Sequence, residues 1–373
     1  MKIAVIGGGL FGSTAAIHLA RAGHDVHLYD AKADLMCGAT AATYARLHRG
    51  YHYPRSPETG RESRAAEASF RAEYGEAVID GGKQAYIVAE GGHVTPSQYR
   101  AFLEGEDLQF FQEGNRFDVV EPRVNLTSLV TCVRRKVTEA GVTARLGYRI
   151  NKLGAQHLRD RFDRIVVATY ARMNDVLAKL GCDLTEYKFQ IVEQPIVRLF
   201  DKFQGQSFVV IDGPFGCIDP MDDSPYHVLG HVTKTIHAEN VGCGAHVPDH
   251  LANLIDRVLD GIPECSRFRE VADDLDRHIP GIGKARHVVS KFTVRAVLAG
   301  VEKTDARPTL VERMDAQVIK VFSGKLGTAV KAAREVAMLA SGPIEERAGD
   351  KEFVIPDGLP AERFVIRGIG GAA

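Results

Sequence analysis

Gly7, Gly9 and Gly12 stand in a Gly-x-Gly-x-x-Gly spacing, and Asp30 follows 18 residues after Gly12. Each glycine has a task in phosphate chemistry. The first permits a tight strand-to-helix turn. The second lets a pyrophosphate approach the backbone, and the third lets the helix lie close to the strand. Leu10 and Phe11 fill the loop between Gly9 and Gly12. The helix that follows presents unpaired N–H groups and a positive dipole end to phosphate. Asp30, with Ala31 beside it, offers a carboxylate to ribose hydroxyls and disfavours a 2′-phosphate, which argues against NADP. The spacing alone does not separate FAD from NAD.

A second set follows a run of small residues that includes Thr40 and Ala41. Arg46, Leu47, His48, Arg49, Tyr51, His52, Tyr53 and Arg55 fall within ten positions. Loops this dense in bases and polar aromatics are sites more often than filler. Farther on, Lys291 and Arg295 share one face of an apparent strand by period two. A guanidinium there suits bidentate carboxylate recognition. His227, His231 and His237 invite a metal reading, but no Cys or carboxylate completes a convincing set, and no metal is expected. Asp219, Asp222 and Asp223 around Pro220 read as a turn.

These residues need elements to position them. Lys2–Ile6 is a short apolar run of the kind that forms a buried parallel strand. A helix over 13–22 ends at Gly23, and Asp25–Tyr29 forms the next strand. Strands at 142–146 and 164–169 extend this sheet. Near the other end, the strand Val318–Phe322 runs into Ser323-Gly324-Lys325-Leu326-Gly327-Thr328 and then a helix over 329–339. Between these parts, strand-like runs at 84–89, 189–197, Ser207–Ile211, 227–236 and 288–297, with a helix over 248–259, suggest a separate sheet-rich unit.

The fingerprint, Asp30, the small-residue stretch and the Arg46–Arg55 segment together resemble the D-amino-acid oxidase superfamily of FAD enzymes, which includes sarcosine, glycine and L-2-hydroxyglutarate oxidases. Ala306-Arg307-Pro308 is similar to the family's late "RP" segment, with Ala306 where a glycine is usual. The resemblance implies an α/β protein, with a Rossmann-type FAD-binding domain (1–80, 125–182 and 301–373) under a β-rich (α+β) substrate-binding cap (81–124 and 183–300). Arg46, Leu47 and His48 would run beneath the flavin, with Arg49, Tyr51, His52 and Arg55 continuing towards substrate. Thr169 would lie near FAD, in a turn where Tyr170 replaces the usual glycine. Gly324 to Thr328, with Lys325, would face the flavin's pyrimidine edge, where a helix N-terminus favours negative charge by ~0.3–1 kcal/mol. Arg295 would take a substrate carboxylate, and Lys291 or Lys325 would lie near N5. Some relatives attach flavin through a late Cys, but none follows Cys265. FAD is therefore expected to be noncovalent, with His48 the remaining conceivable attachment point.

The implied reaction is oxidation of a C–N bond in a small polar amine or amino acid, by hydride transfer to flavin N5. Oxidation of a C–O bond in a 2-hydroxy acid or sugar-like alcohol is the alternative. The partners would be an anionic or highly polar small molecule and O2 or another electron acceptor. Composition narrows the rest. The 373 residues carry 47 Lys plus Arg against 48 Asp plus Glu, a formal charge of −1. That balance excludes a broad footprint for nucleic acid. No apolar run approaches the ~20 residues of a bilayer span. The amino terminus lacks a signal-peptide pattern and the six cysteines form no CxxC pair, so a reduced, cytoplasmic protein is expected.

Overall fold

A computed structural model describes residues 1–260, 262–300 and 307–342. Ala306, the carboxy-terminal residues from 343 and part of the 301–373 segment lie outside the described residues. Two sheets organise the chain. The first has six strands in the spatial order Leu310–Arg313, Val318–Phe322, Arg164–Val167, Lys2–Ile6, Asp25–Tyr29 and Thr143–Arg145. All neighbours run parallel except the first pair. Alternation along Lys2–Ile6 explains why Ile3 to Ile6 are all apolar and buried, with Lys2 half-buried at the strand's start. Ile3 and Val5 pack with the helices Leu10–Arg21, Leu126–Glu139 and Ala329–Ser341. Ala4 and Ile6 face the opposite layer, which holds Lys152–Arg161 and Met173–Lys179. The part of a strand covered on both faces leaves no room for a polar position.

The second sheet has ten strands. Its longest members, Tyr187–Arg198 and Arg286–Leu298, pair antiparallel over most of their length. Ser207–Ile211 pairs parallel with Gln84–Val88, and the other neighbours are antiparallel. The helix Phe268–Asp276 packs Phe268, Val271 and Leu275 against one face of this sheet. No helix among the described residues is long and apolar enough to cross a membrane.

Local chemistry overrides periodicity in several places. The run 227–236 is not one strand but two, Tyr226–His231 and Ile236–Gly242. Its turn is built on His231, whose Nδ1 accepts from the Thr233 and Lys234 N–H groups at 3.1 Å each. The helix expected over 248–259 is confined to Asp249–Ala252. Beyond it Ile255 bridges to Phe292 and Val258–Asp260 joins the sheet edge. Asp219 belongs to the strand Gly216–Pro220 rather than to a turn. Only Asp222 and Asp223 lie beyond that strand, and Asp222 accepts from Leu126 N at 2.6 Å.

Candidate functional site

A cleft of about 1010 Å³ runs between the two sheets. One end is the glycine loop. Gly7 has φ +109°, and a Cβ there would lie 2.4 Å from the Ala168 carbonyl oxygen. A Cβ on Gly12 would lie 1.8 Å from the Gly7 carbonyl oxygen, so both positions admit only glycine. Gly9 differs: its backbone is extended, with φ −72°, and its nearest neighbour is Thr40 Oγ1. That hydroxyl accepts from Leu10 N at 3.2 Å. Asp30 Oδ2 accepts from Gly8 N at 2.5 Å and Oδ1 from Lys32 N at 2.7 Å, which fixes the carboxylate at the end of the second strand. Thr169 Oγ1 is buried without a hydrogen-bond partner among the described residues. A glycine cradle, a fixed carboxylate and an orphaned hydroxyl fit an extended dinucleotide.

The turn after Thr169 keeps its shape without glycine. Tyr170 takes φ +49°, its hydroxyl donates to the Ala296 carbonyl at 2.8 Å, and its ring stacks on Phe322 at 6.1 Å. Side-chain packing holds a left-handed conformation that costs a non-glycine residue about 1–2 kcal/mol.

The late turn closes the cleft from the other side. Gly324 admits no Cβ, which would lie 2.1 Å from the Arg307 carbonyl oxygen. Lys325 Nζ lies 4.4 Å over the Tyr53 ring. Thr328 Oγ1 donates to the Lys325 carbonyl at 2.7 Å. Of the expected cofactor residues, Gly7, Gly9, Leu10, Phe11, Asp30, Ala31, Thr40, Arg46, Thr169, Gly324, Lys325 and Leu326 line the cleft. Gly12, Leu47, Gly327 and Thr328 are buried outside that lining, and Ala41 is exposed outside it. Leu47 packs on Gly327, 2.8 Å from where a Cβ would sit.

Between these ends lie the groups suited to chemistry. His48, His52, Arg55, His93, Asp212 and Arg295 line the cleft. His48 Nδ1 lies 3.5 Å from Glu121 Oε1, and the Glu121 side chain is wholly buried. Burial pushes the His48 imidazole below its ordinary pKa, and Glu121 opposes that push. Burial would raise the Glu121 carboxyl, yet His48, Arg46 and the Arg49 N–H together bring it down to about 2. Arg295 Nε and Nη2 donate to Gln190 Oε1 at 2.8 and 2.5 Å. Arg55 forms a two-pronged pair with Asp212 at 2.5 and 3.0 Å. Arg46 does the same with Asp219 at 2.6 and 2.8 Å, and both are buried.

Arg49 and Tyr51, expected towards substrate, and Lys291, expected near N5, have partners outside the cleft lining. The Arg49 guanidinium grips Glu67 on the helix Pro57–Tyr74 through two 2.7 Å bonds. Tyr51 is buried and donates to the Gln109 carbonyl at 2.8 Å. Lys291 Nζ donates to the Ala41 carbonyl at 3.3 Å, and burial lowers its pKa. Lys291 and Arg295 share the strand Arg286–Leu298 with an unbroken register between them, which keeps them on one face. They stand four residues apart, opposite Gln194 and Gln190, and only Arg295 lines the cleft. His231 pairs with Asp274 at 3.0 Å and His237 with Glu193 at 2.9 Å, while His227 is fully buried. Sequence reasoning missed Glu121, Asp212 and His93. Asp212 follows the apolar strand Ser207–Ile211, a weak signal; Glu121 follows the mixed strand Arg116–Val119, and neither it nor His93 carries one.

A family model described as FAD dependent oxidoreductase (DAO) matches residues 2–310. The chain is 26% identical, over 94% of its length and 88% of the other's, to an Aspergillus flavus protein described as FAD-dependent monooxygenase kojA. Its fold is similar to glycine oxidase from Geobacillus kaustophilus, with a TM-score of 0.64, 14% identity and coverage of 91% of this chain and 93% of that one. It is likewise similar to iminodiacetate oxidase from a Chelativorans species, with a TM-score of 0.62, 16% identity and coverage of 92% and 97%. The match over most of the chain, joined to a cleft that a dinucleotide fits, makes this protein an FAD-dependent oxidoreductase of the DAO family.

Proposed function

We propose that the chain oxidises the C–N bond of a small polar amine or amino acid, with FAD held noncovalently between the first glycine loop and the Ser323–Leu326 turn. In this reading segments 1–80, 125–182 and 301–373 hold the cofactor, and 81–124 and 183–300 form the substrate cap. One observation carries it: a guanidinium, Arg295, and an imidazole, His48, line the same cleft as the dinucleotide loop. An amino acid offers a carboxylate to the first and a nitrogen to the second. The names of the similar solved structures, glycine oxidase and iminodiacetate oxidase, also support a C–N substrate.

When bound, FAD supplies the hydride acceptor. The chain's own residues bind, orient and deprotonate. Arg295 is preset by Gln190, so its planar fork loses little freedom on meeting a carboxylate. Burial holds the His48 imidazole below its ordinary pKa, which favours the neutral form that accepts a proton. Lys325 adds positive charge at the late turn, where the helix N-terminus already favours an anion.

The Aspergillus relatives favour a second reading, oxygen insertion, which requires an external two-electron reductant. Anaerobic bleaching of the flavin separates the readings. Amines or amino acids should bleach it, with one ammonium or amine released per flavin reduced. Bleaching only by 2-hydroxy acids or sugar-like alcohols would overturn C–N oxidation in favour of C–O oxidation. Bleaching only by a reduced nicotinamide would overturn both in favour of the monooxygenase.

A further inference from the structure

We propose that Glu121 is a positioning carboxylate for His48: it holds the imidazole with Nδ1–H turned inward, so that Nε2 takes the proton of a substrate ammonium in the cleft. The inference rests on the C–N reading above and assigns its base.

The geometry around Glu121 is closed on every side but one. Its side chain is fully buried. Oε1 accepts from Arg49 N at 2.7 Å and Oε2 from the Tyr86 hydroxyl at 3.0 Å. Those two bonds fix the plane of the carboxylate. The remaining direction points to His48 Nδ1 at 3.5 Å, an atom that is itself buried and has no hydrogen-bond partner among the described residues. A buried carboxylate facing a buried imidazole nitrogen is expensive unless the proton lies between them. Such contacts are commonly long before substrate arrives and shorten once charge develops. With Nδ1 protonated, the lone pair lies on Nε2, on the other side of the ring.

His48 is also the cleft group best placed for such a role. Its ring lies 5.8 Å from His52 and 5.6 Å from Tyr53. The charged groups facing it are Glu121, Arg46 and Lys325. Arg46 is already committed to Asp219. Glu121 is therefore the negative charge that opposes burial and the two cations. The step balances simply. The substrate ammonium loses one proton to Nε2, leaving a neutral amine and an imidazolium. Glu121 stabilises that imidazolium, and the neutral amine's C–H bond is then open to oxidation by FAD.

The test has two arms on the holoenzyme. In the first, histidine labelled with ¹⁵N is titrated by NMR in wild type and Glu121→Gln, with His48→Asn used to assign the resonance. The amide preserves shape and can still meet Arg49 N and the Tyr86 hydroxyl. Wild-type His48 should show the Nδ1–H tautomer, and Glu121→Gln should lower its titration midpoint by about one pH unit or more. An unchanged midpoint, or the Nε2–H tautomer in wild type, overturns the proposal. In the second arm, anaerobic flavin bleaching by an amine substrate is followed against pH. Glu121→Gln should lower the rate at least about tenfold and move the acidic limb down with the NMR midpoint. His48→Asn should abolish that limb, and adding Glu121→Gln to it should cost nothing more. A uniform rate loss with an unmoved limb would mark Glu121 as merely structural. If no amine bleaches wild-type flavin, the C–N reading falls and the base assignment with it, while the NMR arm still reports whether the two side chains are coupled.

Discussion

Arg295 and Arg49 are two guanidiniums that the linear sequence presents alike and the fold separates. Arg295 is fixed by a neutral amide in the cleft, so Arg295→Lys removes the bidentate fork and keeps the charge. For a carboxylate-bearing substrate, KM should rise about tenfold or more, equivalent to ~1.4 kcal/mol, with kcat changed less. Steady-state kinetics on acid and amide forms of one amine check this; equal effects on both would remove Arg295 from carboxylate binding. Arg49→Ala should behave oppositely. Its pair with Glu67 is partly solvated, so its loss should cost ~0.5–1 kcal/mol of stability and leave KM within about twofold. Denaturant unfolding and kinetics on one preparation settle it.

At the scale of elements, glycines divide into those that build the loop and those that leave room for a ligand. Gly12→Ala drives a Cβ into the Gly7 carbonyl and should cost about 3 kcal/mol or more, unfolding the first helix from its strand. Gly9→Ala meets only Thr40 Oγ1, and its backbone suits alanine. That variant should fold with nearly wild-type circular dichroism yet hold FAD at least about tenfold more weakly, because its methyl occupies the approach to the helix N–H groups. FAD fluorescence titration distinguishes the two; full retention of FAD by Gly9→Ala would argue that phosphate lies elsewhere. Both glycines were legible in the sequence because the spacing is local: strand, turn and helix lie within twenty residues. The late strand, turn and helix were legible for the same reason. Glu121 was not, because its role depends on a contact with His48, 73 positions away in the chain, and no periodicity records it. The break at His231 was hidden by a β-branched run whose turn is made by a side chain. Arg49 looked like its neighbours until the helix carrying Glu67 was placed beside it.

For the whole molecule, buried histidines set the acid limit. His227 is fully buried, and burial lowers its pKa from 6.5 to about 4. The unfolded chain therefore takes up this proton before the folded one does. Stability from this residue is intact above about pH 6.5 and falls as pH drops towards 4, by about 3 kcal/mol in all. His227→Gln should flatten that part of the stability curve, read by urea unfolding between pH 7 and 4; an equally steep curve would contradict it. Below that window, carboxylates such as Glu121 and Asp315, both near 2, lose their contribution in turn.

The first glycine loop and the Ser323–Leu326 turn meet at one cleft, so a crystal structure of the FAD-loaded protein is the direct test. Diphosphate is expected against the Gly9 and Leu10 backbone, with the flavin ring between His48 and the turn carrying Gly324 and Lys325. A flavin ring bound away from that turn, with His48 facing solvent, would contradict it.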